Sequence, residues 1–180
     1  FLTHGGVARR MIDFATSMVG HWHGGMGLAA VLACALFAAI SGSSPATVMA
    51  VGSIMIPAMV RMGYPAQFGV GPVAAAGGLG ILIPPSIVMV MYAVAVSGMV
   101  VTDPAGELVL SPSIGDVFIA GVVPGLILAA MYGVTTVWRA WKNDYPRLPR
   151  ATWGEAFTAF RKSVWGLMLI VIILGGIYGG

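Results

Sequence analysis

Residues 14–60 read FATSMVGHWHGGMGLAAVLACALFAAISGSSPATVMAVGSIMIPAMV, and these 47 positions contain no Asp, Glu, Lys or Arg. A run this apolar belongs in lipid, yet Ser41-Gly42-Ser43-Ser44-Pro45 breaks it in the middle. Hydrocarbon offers no partner for a freed N–H or C=O, so irregular backbone at membrane depth survives only inside protein or beside a polar cavity. A polar, helix-breaking knot in such a run therefore marks a place where something is held.

The rest of the chain agrees with a polytopic, all-helical membrane protein. Of its 180 residues 58% are hydrophobic and 8% charged, against about 25% charged in soluble domains. Further charge-free runs cover 62–102, 117–138 and 163–180, and roughly 20 apolar residues make one helical crossing. The net charge of +3 gathers near membrane ends, an orientation pattern and no nucleic-acid face. The single Cys34 can form neither a disulfide framework nor a metal cluster and reads as packing. The start at Phe1 without Met and the stop at Gly179-Gly180 inside an apolar run read as a fragment.

Segment by segment, 1–23 reads as an interfacial amphipathic helix with Val7, Met11, Ile12, Phe14 and Met18 on one side and His21, Trp22 and His23 at headgroup level. Two apolar arms make up 24–60, with the knot at 41–47 as their tip. Residues 66–98 form a segment interrupted near 80–86 by Gly80 and by Pro84-Pro85-Ser86. The loop 99–116 holds Asp103, Glu107 and Asp116, and 117–138 is an uncomplicated crossing. Residues 139–163 are a basic loop, and 164–180 begin another crossing. Arg139, Lys142, Arg147, Arg150, Arg161 and Lys162 place that loop in the cytoplasm and the acidic loop outside. Both ends of 14–60 then lie on one face, which suits two full crossings or a re-entrant hairpin. Length favours the hairpin: Pro45–Val60 spans about 24 Å at the α-helical rise, short of a core of roughly 30 Å.

Both breaks carry Ser beside Pro. Ser44-Pro45 has the form of an N-cap followed by the first helical position, so the second arm points free N–H groups at the knot. The first arm ends there in carbonyls, and the prolines at 84–85 strip donors from the carbonyls around Gly80–Leu82. Carbonyl and hydroxyl oxygens at such breaks suit Na⁺, and helix N-termini suit an anion. The candidate site is accordingly Ser41, Gly42, Ser43, Ser44, Thr47, Gly80, Pro84, Pro85 and Ser86. Neither break holds Asp, Glu or His, which argues against a proton relay. The blander readings are close packing for Gly77, Gly78 and Gly80, kinks for Pro57 and Pro124, and a ligand-free turn for the serines. His4, His21 and His23 read as interface residues without a metal cluster, and Met49, Met55, Met59, Met89 and Met91 as core packing.

The run Ser41-Gly-Ser-Ser-Pro-Ala-Thr-Val48, with Gly52-Ser-Ile-Met-Ile-Pro-Ala-Met59, Gly63-Tyr-Pro65 and Gly78-Leu-Gly-Ile-Leu-Ile-Pro-Pro-Ser86, resembles the large membrane subunit of the tripartite ATP-independent periplasmic (TRAP) transporters, the DctM type. Gly5-Gly-Val-Ala-Arg-Arg10 and Leu174-Gly-Gly-Ile-Tyr-Gly-Gly180 extend the likeness over nearly the whole chain. The resemblance implies one half of an inverted-repeat, elevator-type transporter with a re-entrant hairpin and a discontinuous transmembrane helix. It implies Na⁺-coupled import of organic acids, of the C4-dicarboxylate or sugar-acid type, across the bacterial inner membrane. A periplasmic solute-binding protein would deliver substrate, and a small TRAP membrane subunit would complete the complex. No organic cofactor is implied, Na⁺ being the coupling ion, and the loop 99–116 becomes periplasmic.

Other functions fit less well. An intramembrane serine protease built on Ser43 needs a His base, and no His follows His23. A passive channel would carry polar or charged rings. A divalent-anion/Na⁺ symporter of a related broken-helix fold, working without a binding protein, is the alternative.

Overall fold

The computed structural model describes residues 6–97, 101–102, 108–109, 113–146, 148–149 and 152–178. His4, Asp103, Glu107, Arg147, Arg150 and Gly179-Gly180 lie outside these, and with them part of the two loops and of the closing motif.

Helix α1, Val7–Val19, buries Ala8, Met11, Ile12 and Ala15, a stripe with helical spacing. That stripe faces protein: α1 packs on α2, Gly25–Ser41, and on α7, Trp153–Tyr178. Ser163 of α7, itself buried, donates to the Arg10 carbonyl at 2.7 Å. The apolar stripe of this amphipathic helix is thus covered by a helix–helix seam, with Met18 alone of the residues named for it left exposed.

Helices α2 and α3, Ser44–Arg61, form a hairpin. Their 17 and 18 residues correspond to about 26 and 27 Å at 1.5 Å per residue. The chain reverses at Met62–Pro65, where Tyr64 packs against both Phe68 and Tyr145, its ring centroid 5.5 Å from each, and those two rings touch one another at 4.7 Å. Its hydroxyl donates to the Pro146 carbonyl, and burial raises the phenol above its ordinary pKa, so it remains a donor. Helix α4, Ala66–Gly77, packs on both arms of the hairpin and tightens into a 3-10 turn over Gly78–Ile81. Residues 82–86 are irregular, and α5 runs from Ile87 to Val96.

Strands β1, Val101–Thr102, and β2, Leu108–Val109, pair antiparallel within the loop that follows. Helix α6 spans Ile114–Lys142. It begins three residues before the charge-free run, because Ser113 and Asp116 close a capping box in which each side chain accepts from the other's N–H. Helix α7 begins at Trp153, well before the run at 163. Glu155 accepts from the Thr152 N–H and hydroxyl at 2.8 and 3.0 Å, and the charged residues that follow are good helix formers.

Helix α6 lies antiparallel to α2 and serves as a ruler. Gly24 and Gly27 press on Ala140 and Thr136, Leu28 on Gly133, and Leu82 and Ile83 on Gly121 and Gly125. Residues 114–120 of α6 continue for about 10 Å past the level at which Gly121 meets Leu82. The core is filled by Phe37, Met55, Met59, Leu79 and Cys34. Met49 and Met91 instead face outward, 74% and 67% exposed; in hydrocarbon an apolar side chain gains little by leaving the surface. Among the described residues three helices, α3, α6 and α7, are long and apolar enough to cross a membrane.

Candidate functional site at the hairpin tip

The two breaks that were separate in the sequence meet in space. The Ile87 N–H donates to the Gly42 carbonyl at 3.3 Å. A Cβ on Gly42 would lie 2.3 Å from the Pro85 carbonyl oxygen, and one on Gly80 would lie 2.7 Å from Ser43 C and Ser44 N. Contacts this short admit glycine alone. Gly42 also has φ +59°, in the left-handed region that turns the chain out of α2. Four helix ends therefore converge on one spot: the C-termini of α2 and of the 3-10 turn, and the N-termini of α3 and α5.

The serines and Thr47 divide into two kinds. Thr47, fully buried, donates its hydroxyl to the Ser43 carbonyl at 2.8 Å, and its N–H reaches the same oxygen at 3.0 Å. Ser41 Oγ lies 3.0 Å from Thr47 Oγ1 and accepts from the Ser43 N–H at 3.4 Å. This lattice holds the tip in shape. Ser86 is likewise a structural cap: buried at 1% exposure, it accepts from the Met89 N–H at 3.5 Å at the start of α5. Ser44 differs. Its Oγ is inaccessible and, among the described residues, is the one buried side-chain oxygen or nitrogen without a hydrogen-bond partner.

The start of α3 also differs by one residue from the sequence expectation. Ser43, extended at φ −138°, occupies the cap position without a side-chain hydrogen bond, Ser44 is the first helical residue and Pro45 the second. Gly42 completes the turn, so Ser43 is the residue that enters the helix, and Ser44 swings inward onto the break.

The structure thus brings Gly42 against Pro85 and Gly80 against Ser43 and Ser44, ties Ser41 and Thr47 to the same turn, and buries Pro84. Sequence reading overlooked the receiving surface on α6. Gly121 and Gly125 let Leu82, Ile83 and Met89 approach closely; a Cβ on Gly121 would meet the Leu82 carbonyl oxygen at 2.7 Å. The spacing Gly121, Gly125, Ala129, Gly133 is a small-residue stripe at four-residue intervals that signals such a contact. Electrostatically, helix C-termini present negative and N-termini positive partial charge, so the cluster offers both signs without an ionised side chain.

Comparison with known proteins fits this arrangement. The family described as "Tripartite ATP-independent periplasmic transporter, DctM component" matches residues 1–180. The C4-dicarboxylate TRAP transporter large permease protein DctM of Rhodobacter capsulatus is 67% identical over all of this chain, which covers 41% of that protein. The protein of the same name from Pseudomonas aeruginosa is 56% identical, again over the whole chain and 39% of its own length. The ectoine TRAP transporter large permease protein TeaC of Halomonas elongata is 40% identical over 99% of the chain and 39% of its length. The chain therefore spans about two-fifths of these relatives. With its converging helix ends and a family match from first residue to last, it belongs to the DctM component family of the tripartite ATP-independent periplasmic transporters.

Proposed function

We propose that this chain is the first inverted-repeat half of a permease subunit that imports an organic acid with Na⁺ across the bacterial inner membrane, by an elevator movement. The observation that carries the reading is the orphaned Ser44 hydroxyl among four helix ends. A buried hydroxyl without a partner costs about 1–3 kcal/mol, and a ligand would relieve it. The carbonyls of the last turn of α2, which the helix itself leaves without donors, and those released at 80–83 suit a hard cation held by neutral oxygens. The N-termini of α3 and α5 suit a carboxylate. Na⁺ and substrate then neutralise each other across a short distance, so each favours the other's binding.

The hairpin α2–α3 is re-entrant in this reading. Its first arm, α2, is among the shorter apolar helices, and its tip abuts the break before α6 reaches its outer end. Because the relatives named for C4-dicarboxylates share 67% and 56% identity with this chain, a C4-dicarboxylate is the substrate class of choice. A periplasmic binding protein delivers it, and the small membrane subunit completes the complex.

The test is uptake of labelled C4-dicarboxylates, sugar acids and ectoine into proteoliposomes holding the full-length permease and its small subunit. Omitting Na⁺ or the binding protein should each reduce C4-dicarboxylate uptake to background. Uptake that persists without the binding protein would point to a freestanding symporter, and uptake indifferent to Na⁺ would remove the ion from the site.

A further inference from the structure

Between α1 and α7 lies a cleft of about 240 Å³ that the transport reading does not use. It is lined by the apolar Met11, Ile40, Trp165 and Leu169 and by the cations Arg10 and Lys162. Both cations are exposed, and no Asp or Glu lines the cleft. The backbone beneath is pinned, since the buried Ser163 donates to the Arg10 carbonyl and Met11 meets Gly166 closely. Two like charges thus line one cleft with no acidic side chain among its lining residues, at the point where α7 changes from charged to apolar sequence.

We infer that this cleft binds an anionic phospholipid, its phosphate between Arg10 and Lys162 and an acyl chain along Trp165 and Leu169. Basic pockets between membrane helices attract such headgroups, and guanidinium matches phosphate oxygens in a two-point fork. The apolar remainder of the cleft favours a lipid over a soluble phosphate or a carboxylate on its way through. Trp165, 74% exposed, is an interface anchor for the glycerol region. Because Ile40, the residue before Ser41, forms part of the wall, the lipid also rests against the last turn before the hairpin tip.

The inference rests on the membrane placement proposed above, but its readout is retained lipid rather than uptake, so the two can fail separately. The full-length permease complex is purified from membranes of mixed phosphatidylglycerol and phosphatidylcholine and weighed by native mass spectrometry. Wild type should retain phosphatidylglycerol, and inorganic phosphate should not displace it. Arg10→Gln/Lys162→Gln should lower retention about tenfold or more, given the usual attraction of each cation to an anionic surface, whereas Arg10→Lys/Lys162→Arg should keep most of it. Equal retention in wild type and the glutamine variant, or equal retention of both lipids, overturns the inference. A benzophenone side chain at position 169, in an otherwise unaltered chain, gives a second reading should the glutamine variant fail to fold. Capture of phosphatidylglycerol several-fold above its share of the membrane supports the site. Capture at the bulk ratio, or a crosslink to protein in place of lipid, overturns it.

Discussion

Helices α6 and α7 and the broken pair α3 and α4–α5 are built from similar residues but solve different problems. Helix α6 runs 29 residues without interruption and closes its own start with a capping box, so its backbone is satisfied wherever it stands. In its most apolar window 22% of residues are buried, and 11% in α7, against 33% in α3. The broken elements cannot stand alone. Gly42 and Ile87 satisfy one another across the two breaks, and Gly80 lies flat on Ser43–Ser44. The comparison teaches that irregular backbone in an apolar setting is tolerated by pairing one break with another, and that what this pairing leaves over becomes available to a ligand.

The comparison breaks most sharply at Gly80. Gly80→Ala places a methyl group against main chain that cannot move aside; overpacking of this kind costs about 1–3 kcal/mol. Uptake by the full-length permease should fall to near background and thermal stability should drop. Gly78→Ala, two residues away, meets nothing within 4 Å and should leave both unchanged. Equal effects from the two would show that the tip does not rest on the break.

Ser44→Ala is expected to weaken Na⁺ dependence about tenfold in half-saturation, the scale of a lost ligand worth roughly 1.4 kcal/mol, without lowering the melting temperature in Na⁺-free buffer. The Ser44 hydroxyl has no hydrogen-bond partner within the protein to lose. A fall in Na⁺-free stability would assign Ser44 to structure instead. Thr47→Val should do the reverse, removing the bonds to Ser43 and Ser41 for about 1–2 kcal/mol of stability, seen as a lower melting temperature at every Na⁺ concentration. The smallest effect is expected at Tyr64→Phe. Loss of its bond to the Pro146 carbonyl should cost about 1 kcal/mol or less and leave uptake kinetics intact.

Much of the candidate site was legible in residue order. Ser-Gly-Ser-Ser-Pro and Pro-Pro-Ser break helices for local steric reasons, so their positions could be read without coordinates. The division of labour among the hydroxyls could not. Thr47 and Ser86 look no less ligand-like than Ser44 in a string of letters, and the orphan emerges only when each oxygen's neighbours are counted. The α1 stripe was legible as amphipathic, but periodicity says that a face is apolar and not whether lipid or α7 covers it. The helix starts at Ile114 and Trp153 were displaced from the charge boundaries because the Ser113–Asp116 capping box and the Glu155 carboxylate, which accepts from Thr152, outweigh hydropathy at a helix end.

The order of residues by itself determined that this is a helical membrane chain of the DctM type with two breaks, because hydropathy and proline sterics act over a few neighbouring residues. Tertiary structure alone decided that the breaks face each other across Gly42 and Gly80, that Gly121 and Gly125 receive them, and that Ser44 is the hydroxyl left without a partner. Those outcomes depend on contacts between residues distant in the chain, and hydrogen-bond satisfaction is a property of the assembled neighbourhood rather than of any segment within it.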